Sequence, residues 1–144
     1  MSEPIDFSMF KPYKTKNYYQ FDVSGKGHRS QQDRAYYLDT KFGCFPNARA
    51  ITKRKIAVSE THYRDLTLNE CERLQTLPDN YTLLKEGFSL NRSLSAIGNG
   101  WTADVISHLV GNLRGREKMN VLGLFDGISC GQVALKRAGV NVSN

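Results

Sequence analysis

The stretch MNVLGLFDGISCGQVALKRAG, residues 119–139, constrains the fold more than any other part of the chain. MNVLGLF is an apolar run of the kind found in fully buried strands. DGISCG is a turn, and QVALKRAG has helical character up to Gly139. A strand, a glycine-bearing turn and a helix open a doubly wound nucleotide-binding unit. One strand cannot close a parallel sheet, so the segment from Met119 onward is expected to be poorly supported alone. The turn Phe125-Asp126-Gly127-Ile128-Ser129-Cys130-Gly131 is not G-x-G-x-x-G. Asp126 at the strand end would repel a pyrophosphate and accept hydrogen bonds from a cationic or amine-bearing ligand. On these residues alone, a plain strand–turn–helix fits as well as a ligand site.

Upstream, TLNE from Thr67 to Glu70 reads as a capping box. Leu68, Cys71, Leu74 and Leu77 recur at three-residue steps behind it, which predicts a short helix stopped by Pro78 and Asp79. Asn99 and Gly100 supply a turn, and Thr102 is placed to cap the next helix. Val105, Ile106, Leu109, Val110 and Leu113 fall at helical spacing and predict a core-facing stripe. RGREK, residues 114–118, is a charged linker. Nearer the N-terminus AYYLD (35–39) and RAITKRKIAV (49–58) read as short strands, separated by the turn region TKFGCFPNA.

The net charge is +6, and Lys and Arg in excess suit a polyanion such as nucleic acid as well as they suit a merely soluble basic protein. The three cysteines, Cys44, Cys71 and Cys130, include no C-x-x-C pair, so neither a disulfide framework nor a zinc cluster is indicated. The three histidines show no metal-ligand spacing, and no metal is expected. No apolar run is long enough to span a membrane, and the first residues carry no leader pattern. The expectation is a soluble, cytoplasmic protein without a membrane partner.

Three segments carry a family resemblance. VLGLFDGISCGQVALKRAG resembles the first motif of the DNA (cytosine-5) methyltransferases, with the F-D-G variant of the phage-type branch. RDLTLNECERLQTLPDNYT is similar to that family's ninth motif, R-x-L-T-x-x-E-x-x-R-L-Q-x-x-P-D. SLSAIGNGWTADVISHL is similar to its tenth. GKGHRSQQDRAYYLD resembles the distal part of the phage enzymes' recognition region. The order here is nine, ten, one. A chain of this order looks like a permuted enzyme cut short, or like the tail of one methyltransferase gene run into the head of another.

The resemblance implies an α/β fold: an incomplete Rossmann-like, S-adenosylmethionine-dependent methyltransferase domain with a small β-rich recognition region. Residues 1–58 would belong to the recognition region, 59–116 to the ninth- and tenth-motif helical segment, and 117–144 to the first strand–turn–helix. Phe125, Asp126, Gly127, Ile128 and Ser129 would cradle S-adenosylmethionine, with Asn99, Gly100 and Trp101 closing over it. Lys26, Arg29, Gln31 and Arg34 would contact double-stranded DNA. Arg64 matches a structural arginine, and Cys130 belongs to the turn and is not a nucleophile. None of Pro4, Pro12, Pro46 and Pro78 precedes a cysteine, so the family's Pro-Cys nucleophile and its E-N-V glutamate are missing. No catalytic residue is assigned. The chain alone is expected to be inactive, a second chain could supply those motifs, and the setting would be a bacterial or phage-infected cell. A non-catalytic DNA-binding module and a degenerate relic remain as alternatives.

Overall fold

The computed structural model describes residues 5–6, 13–20, 34–43, 55–59, 61–83, 87, 89–124 and 126–141. They fall into two compact units, one up to Thr67 and one from Leu68 onward.

The first unit is a sheet of six short strands: β1 (Ile5–Asp6), β2 (Tyr13–Lys14), β3 (Tyr18–Gln20), β4 (Arg34–Tyr36), β5 (Lys55–Ala57) and β6 (His62–Asp65). Their spatial order is β1-β6-β5-β4-β3-β2. Only β4 and β5 run parallel, with Tyr36 beside Ile56; the other pairs are antiparallel. Residues on adjacent positions of a strand face opposite sides. Ala35 and Ala57 are buried with Tyr37 and Tyr63 against them, while Tyr36 and Ile56 are buried as well. The two central strands are therefore covered on both faces. Tyr36 meets the Tyr18 ring at 5.3 Å and the Phe42 ring at 4.4 Å, and Gly43 lies against its hydroxyl with no room for a Cβ. Thr15 pins the β2–β3 turn by donating to the Tyr18 carbonyl (2.7 Å) and accepting from its amide (3.0 Å).

AYYLD and RAITKRKIAV do hold β4 and β5; β4 is shorter than the sequence suggests, and residues 49–54 of the second run lie outside the described residues. β4 stops at Tyr36 because Thr40 donates to the carbonyls of Asn17 and Tyr37 and turns the chain. No sequence signal announces β1, β2, β3 or β6. YYQ and HYRD are too short to show alternation, and their pairing comes from neighbouring strands.

The second unit is helical: α1 (Leu68–Leu74), α2 (Leu90–Asn99), α3 (Ala103–Gly111) and α4 (Cys130–Arg137), with a 3-10 turn at Arg116–Lys118. α1 ends before Pro78, because Thr76 takes a left-handed backbone (φ 56°) and Leu77 returns its amide to the Glu72 carbonyl. Of the expected stripe, Cys71 and Leu77 are buried but Leu74 is exposed. Glu72 takes its place inside. One of its carboxylate oxygens accepts from the Thr82 amide (2.8 Å) and hydroxyl (2.6 Å), and Thr82 is itself fully buried. Arg73, on the outer face, grips Asp79 through two nitrogens at 2.7 and 2.6 Å, which holds the Asp79 carboxyl below its ordinary range.

Gln75 joins α2 to α3. Its side chain donates to the Ile97 carbonyl (3.2 Å) and accepts from the Thr102 hydroxyl (2.7 Å), while its own carbonyl receives the Ala103 amide (3.1 Å). Thr102 does stand at the N-cap of α3, but its hydroxyl caps nothing there; the Asp104 amide goes instead to Thr76 Oγ1 (2.9 Å). An external residue has taken over the cap. The helix α4 closes as the sequence predicts. Gly139 is left-handed (φ 77°), its amide reaches Lys136 and the Val140 amide reaches Leu135, with Val140 buried. That is the bonding pattern of a Schellman ending.

Two further expectations fail. The stripe on α3 does not face a core: Val105, Leu109 and Leu113 are exposed, and Ala103 is the buried residue of the helix. Residues 119–124 are not a buried strand. No strand pairs with them among the described residues, and Leu122 and Leu124 are 82% and 71% exposed. A parallel-type strand forms only beside other strands of its sheet. No helix among the described residues is long and apolar enough to cross a membrane.

Gln75→Ala should lower stability by about 1–3 kcal/mol, the cost of leaving buried partners unpaired. Urea unfolding measures it, and Arg73→Ala, on an exposed pair, should cost far less.

Candidate cofactor-binding turn

The turn that leads into α4 is built from backbone conformations that side chains rarely adopt. Gly127 (φ 57°) and Ser129 (φ 67°) are both left-handed. Glycine takes this region freely, whereas serine takes it only when held. The Ser129 amide donates to the Asp126 carbonyl at 2.7 Å, which closes the turn. Ser129 is then the N-cap of α4 by position, with no side-chain cap bond. Ile128 and Cys130 point inward and are buried; Gly127 is exposed and Asp126 half-buried. The Asp126 carboxylate folds over the first turn of the helix, where a Cβ on Gly131 would meet its Oδ1 at 2.8 Å. Gly131 thus leaves room for that carboxylate.

Two other segments reach the turn. Gly100, just after α2, packs on Cys130 so closely that a Cβ would lie 2.9 Å from the sulfur and 3.3 Å from the Ile97 carbonyl. The main-chain amide of Trp101 faces the same sulfur. Burial nevertheless dominates and pushes the Cys130 thiol above its ordinary value, with Asp126 adding to the rise. Cys130 is a packed thiol, in keeping with its reading as a residue of the turn. From the other side Tyr81 donates its hydroxyl to the Ile128 carbonyl (2.8 Å) and, more weakly, to Ser129 (3.3 Å).

The proposed cofactor residues Asp126, Gly127, Ile128 and Ser129 therefore stand together, with Gly100 against them. The Trp101 side chain is 60% exposed, and Asn99 ends α2 with its side chain in solvent. Phe125 lies outside the described residues, as do Lys26, Arg29 and Gln31. Arg34 is on β4, its guanidinium 4.6 Å from the Tyr18 ring centroid. Arg64, on β6, donates to the Asp65 carbonyl at 3.0 Å. Sequence reasoning missed Tyr81, Gln75, Thr76 and Arg137. Their partners are mostly main-chain atoms tens of residues away, and no local spacing marks such bonds.

A model of the family described as C-5 cytosine-specific DNA methylase matches residues 5–114. The chain belongs to that family. No curated protein matches it. The match to the methylase family takes in the sheet and α1 to α3, including both segments that pack on the turn, and ends ahead of the turn itself. The family's chemistry is methylation of cytosine in DNA, so the methylase chain carries helices of a DNA-modifying enzyme packed on a glycine-bearing helix start.

Gly100→Ala should destabilise the helical unit by about 1–3 kcal/mol through overpacking. Adding Cys130→Ala removes the sulfur and should restore part of that loss, which a double-mutant cycle in urea would read. The raised thiol makes a second expectation. Cys130 stays protonated at neutral pH, so its alkylation should be slow there and should follow a pH profile shifted to the alkaline side of an ordinary thiol. Because the folded thiol ionises later than the unfolded one, its contribution to stability is complete below the unfolded value and is lost as pH rises through the folded one.

Proposed function

We propose that this methylase chain forms the S-adenosylmethionine corner and part of the DNA-recognition region of a phage-type DNA (cytosine-5) methyltransferase. The corner would work within a Rossmann-like domain whose other strands lie outside these 144 residues. The observation that carries the reading is the meeting of three segments, at Tyr81, Gly100 and residues 126–131, each of which resembles a different motif of the family.

The chemistry of the turn suits the cofactor. S-adenosylmethionine, when bound, supplies a methyl group on a positively charged sulfur. Asp126 offers a carboxylate complementary to that charge and to an α-amino group. The exposed left-handed Gly127 lets main chain approach a ligand, and the first amides of α4 lack intrahelical acceptors and favour a carboxylate. Trp101 presents a flat apolar ring that can cover an adenine, and Asn99 adds polar groups beside it. Phe125 would complete the wall.

Double-stranded DNA is the proposed partner of the first unit, through Lys26, Arg29, Gln31 and Arg34. Covalent attack on a flipped cytosine needs an activated nucleophile. The Pro-Cys cysteine and the glutamate would come from a second chain. The exposed apolar residues Val105, Leu109 and Leu113 on α3, with Leu122 and Leu124, favour this reading over a free-standing DNA-binding module. A surface of that kind is ordinarily covered.

Calorimetry with S-adenosylmethionine tests the proposal, with and without a methyltransferase segment that carries the Pro-Cys and E-N-V motifs. Saturable binding is expected when the segment is present, and methyl transfer to DNA only then. DNA affinity should fall steeply with salt, as counterion release requires. Absence of binding under both conditions would leave ancestry alone.

A further inference from the structure

We infer that Tyr81 is a positioning residue for the cofactor turn, its hydroxyl setting the backbone of Ile128 and Ser129 from which the ligand-facing groups project. The inference rests on the proposed function, since it assigns a role within that same site. Ser129 is the non-glycine residue of the turn in a left-handed conformation. Such a residue is strained by about 1–3 kcal/mol and persists only where its surroundings hold it. Its amide is held by Asp126. The carbonyls on either side of its Cα are held by Tyr81, whose single O–H proton is shared between Ile128 at 2.8 Å and Ser129 at 3.3 Å.

Tyr81 can do this because its own backbone is anchored. Its amide bonds the Pro78 carbonyl, and the Asn80 amide bonds the Asn69 side chain at 3.2 Å. On the other side Thr82 is fully buried, with both its amide and its hydroxyl on the Glu72 carboxylate. A continuous strut therefore runs from α1 through Glu72, Thr82 and Tyr81 to the start of α4. Burial, with Cys130 and Asp126 nearby, keeps the Tyr81 phenol above its ordinary value, so it remains a donor through neutral and mildly alkaline pH.

The test compares the full chain with its Tyr81→Phe variant, each with the complementing segment present. S-adenosylmethionine affinity, thermal unfolding and amide hydrogen exchange of residues 128–131 are measured together. Affinity should fall about three- to tenfold, the effect of one lost hydrogen bond. Exchange in the turn should quicken by more than the small fall in the unfolding midpoint accounts for, a pattern that a merely structural role would not give. Tyr37→Phe, which removes a hydroxyl from the other unit, should change neither affinity nor turn exchange. Equal affinity of wild type and Tyr81→Phe overturns the positioning role and leaves the proposed function standing. Failure of the wild type to bind S-adenosylmethionine overturns the proposed function, and the role of Tyr81 in it falls too.

Discussion

The helical unit depends on one backbone corner at Gln75 and Thr76. Thr76 is β-branched and left-handed, a combination that a chain adopts only under constraint. The constraint is visible in its partners. Its hydroxyl receives the Asp104 amide and its carbonyl receives the Arg137 guanidinium, which also pairs with Asp104 at 2.7 Å. Gln75, beside it, bonds the end of α2 and the start of α3. The end of α1 thus supplies what two other helix ends lack, and takes a bond from the last turn of α4. Helix termini leave backbone groups unpaired, and here the unpaired groups are what fixes the arrangement.

A second constraint is a buried acidic side chain. Glu72 is fully buried on a helix whose sequence would place it outside, and only one of its oxygens has hydrogen-bond donors among the described residues. A half-satisfied carboxylate is a poor way to gain stability. What it achieves is position: Thr82 cannot shift without abandoning two bonds, and Tyr81 is fixed with it. The two bonds at Glu72 thereby fix the segment whose tyrosine reaches the start of α4.

The elements that a reader could find in the sequence are those with local signals. α4 and its glycine stop, the start of α1 behind Thr67, and the turn at Asn99 and Gly100 follow from residues within a few positions of one another. The misses share a different cause. Glu72 is buried because of Thr82, ten residues on. Thr102 does not cap because Gln75 takes its hydroxyl. β6 is a strand because β5 and β1 flank it. The stripe on α3 and the apolar run at 119–124 form neither a core face nor a buried strand, because a pattern says that a face is to be covered and not what covers it. Of the site, the turn was legible through its glycines and family likeness, whereas Tyr81 was not, since its role lies in two carbonyls on a distant segment.

The bonds that tie α4 and its approach into the helical unit have one property in common. Tyr81 acts on the carbonyls of Ile128 and Ser129, Arg137 on that of Thr76, and Arg116 on that of Ala138 at 3.0 Å. In each case one partner is main chain, present whatever residue stands there. Such contacts depend on where segments lie and little on how the chain connects them. Between α3 and α4 the connection needs only to leave one helix and return to the next. Gly115, left-handed at φ 74°, and the 3-10 turn at Arg116–Lys118 do this, and Arg116 then ties the connection to the far end of α4. The segments that resemble a last and a first motif meet through Gly100 against the Cys130 sulfur and through the Arg137–Asp104 pair at 2.7 Å, so a short connection suffices to bring them together.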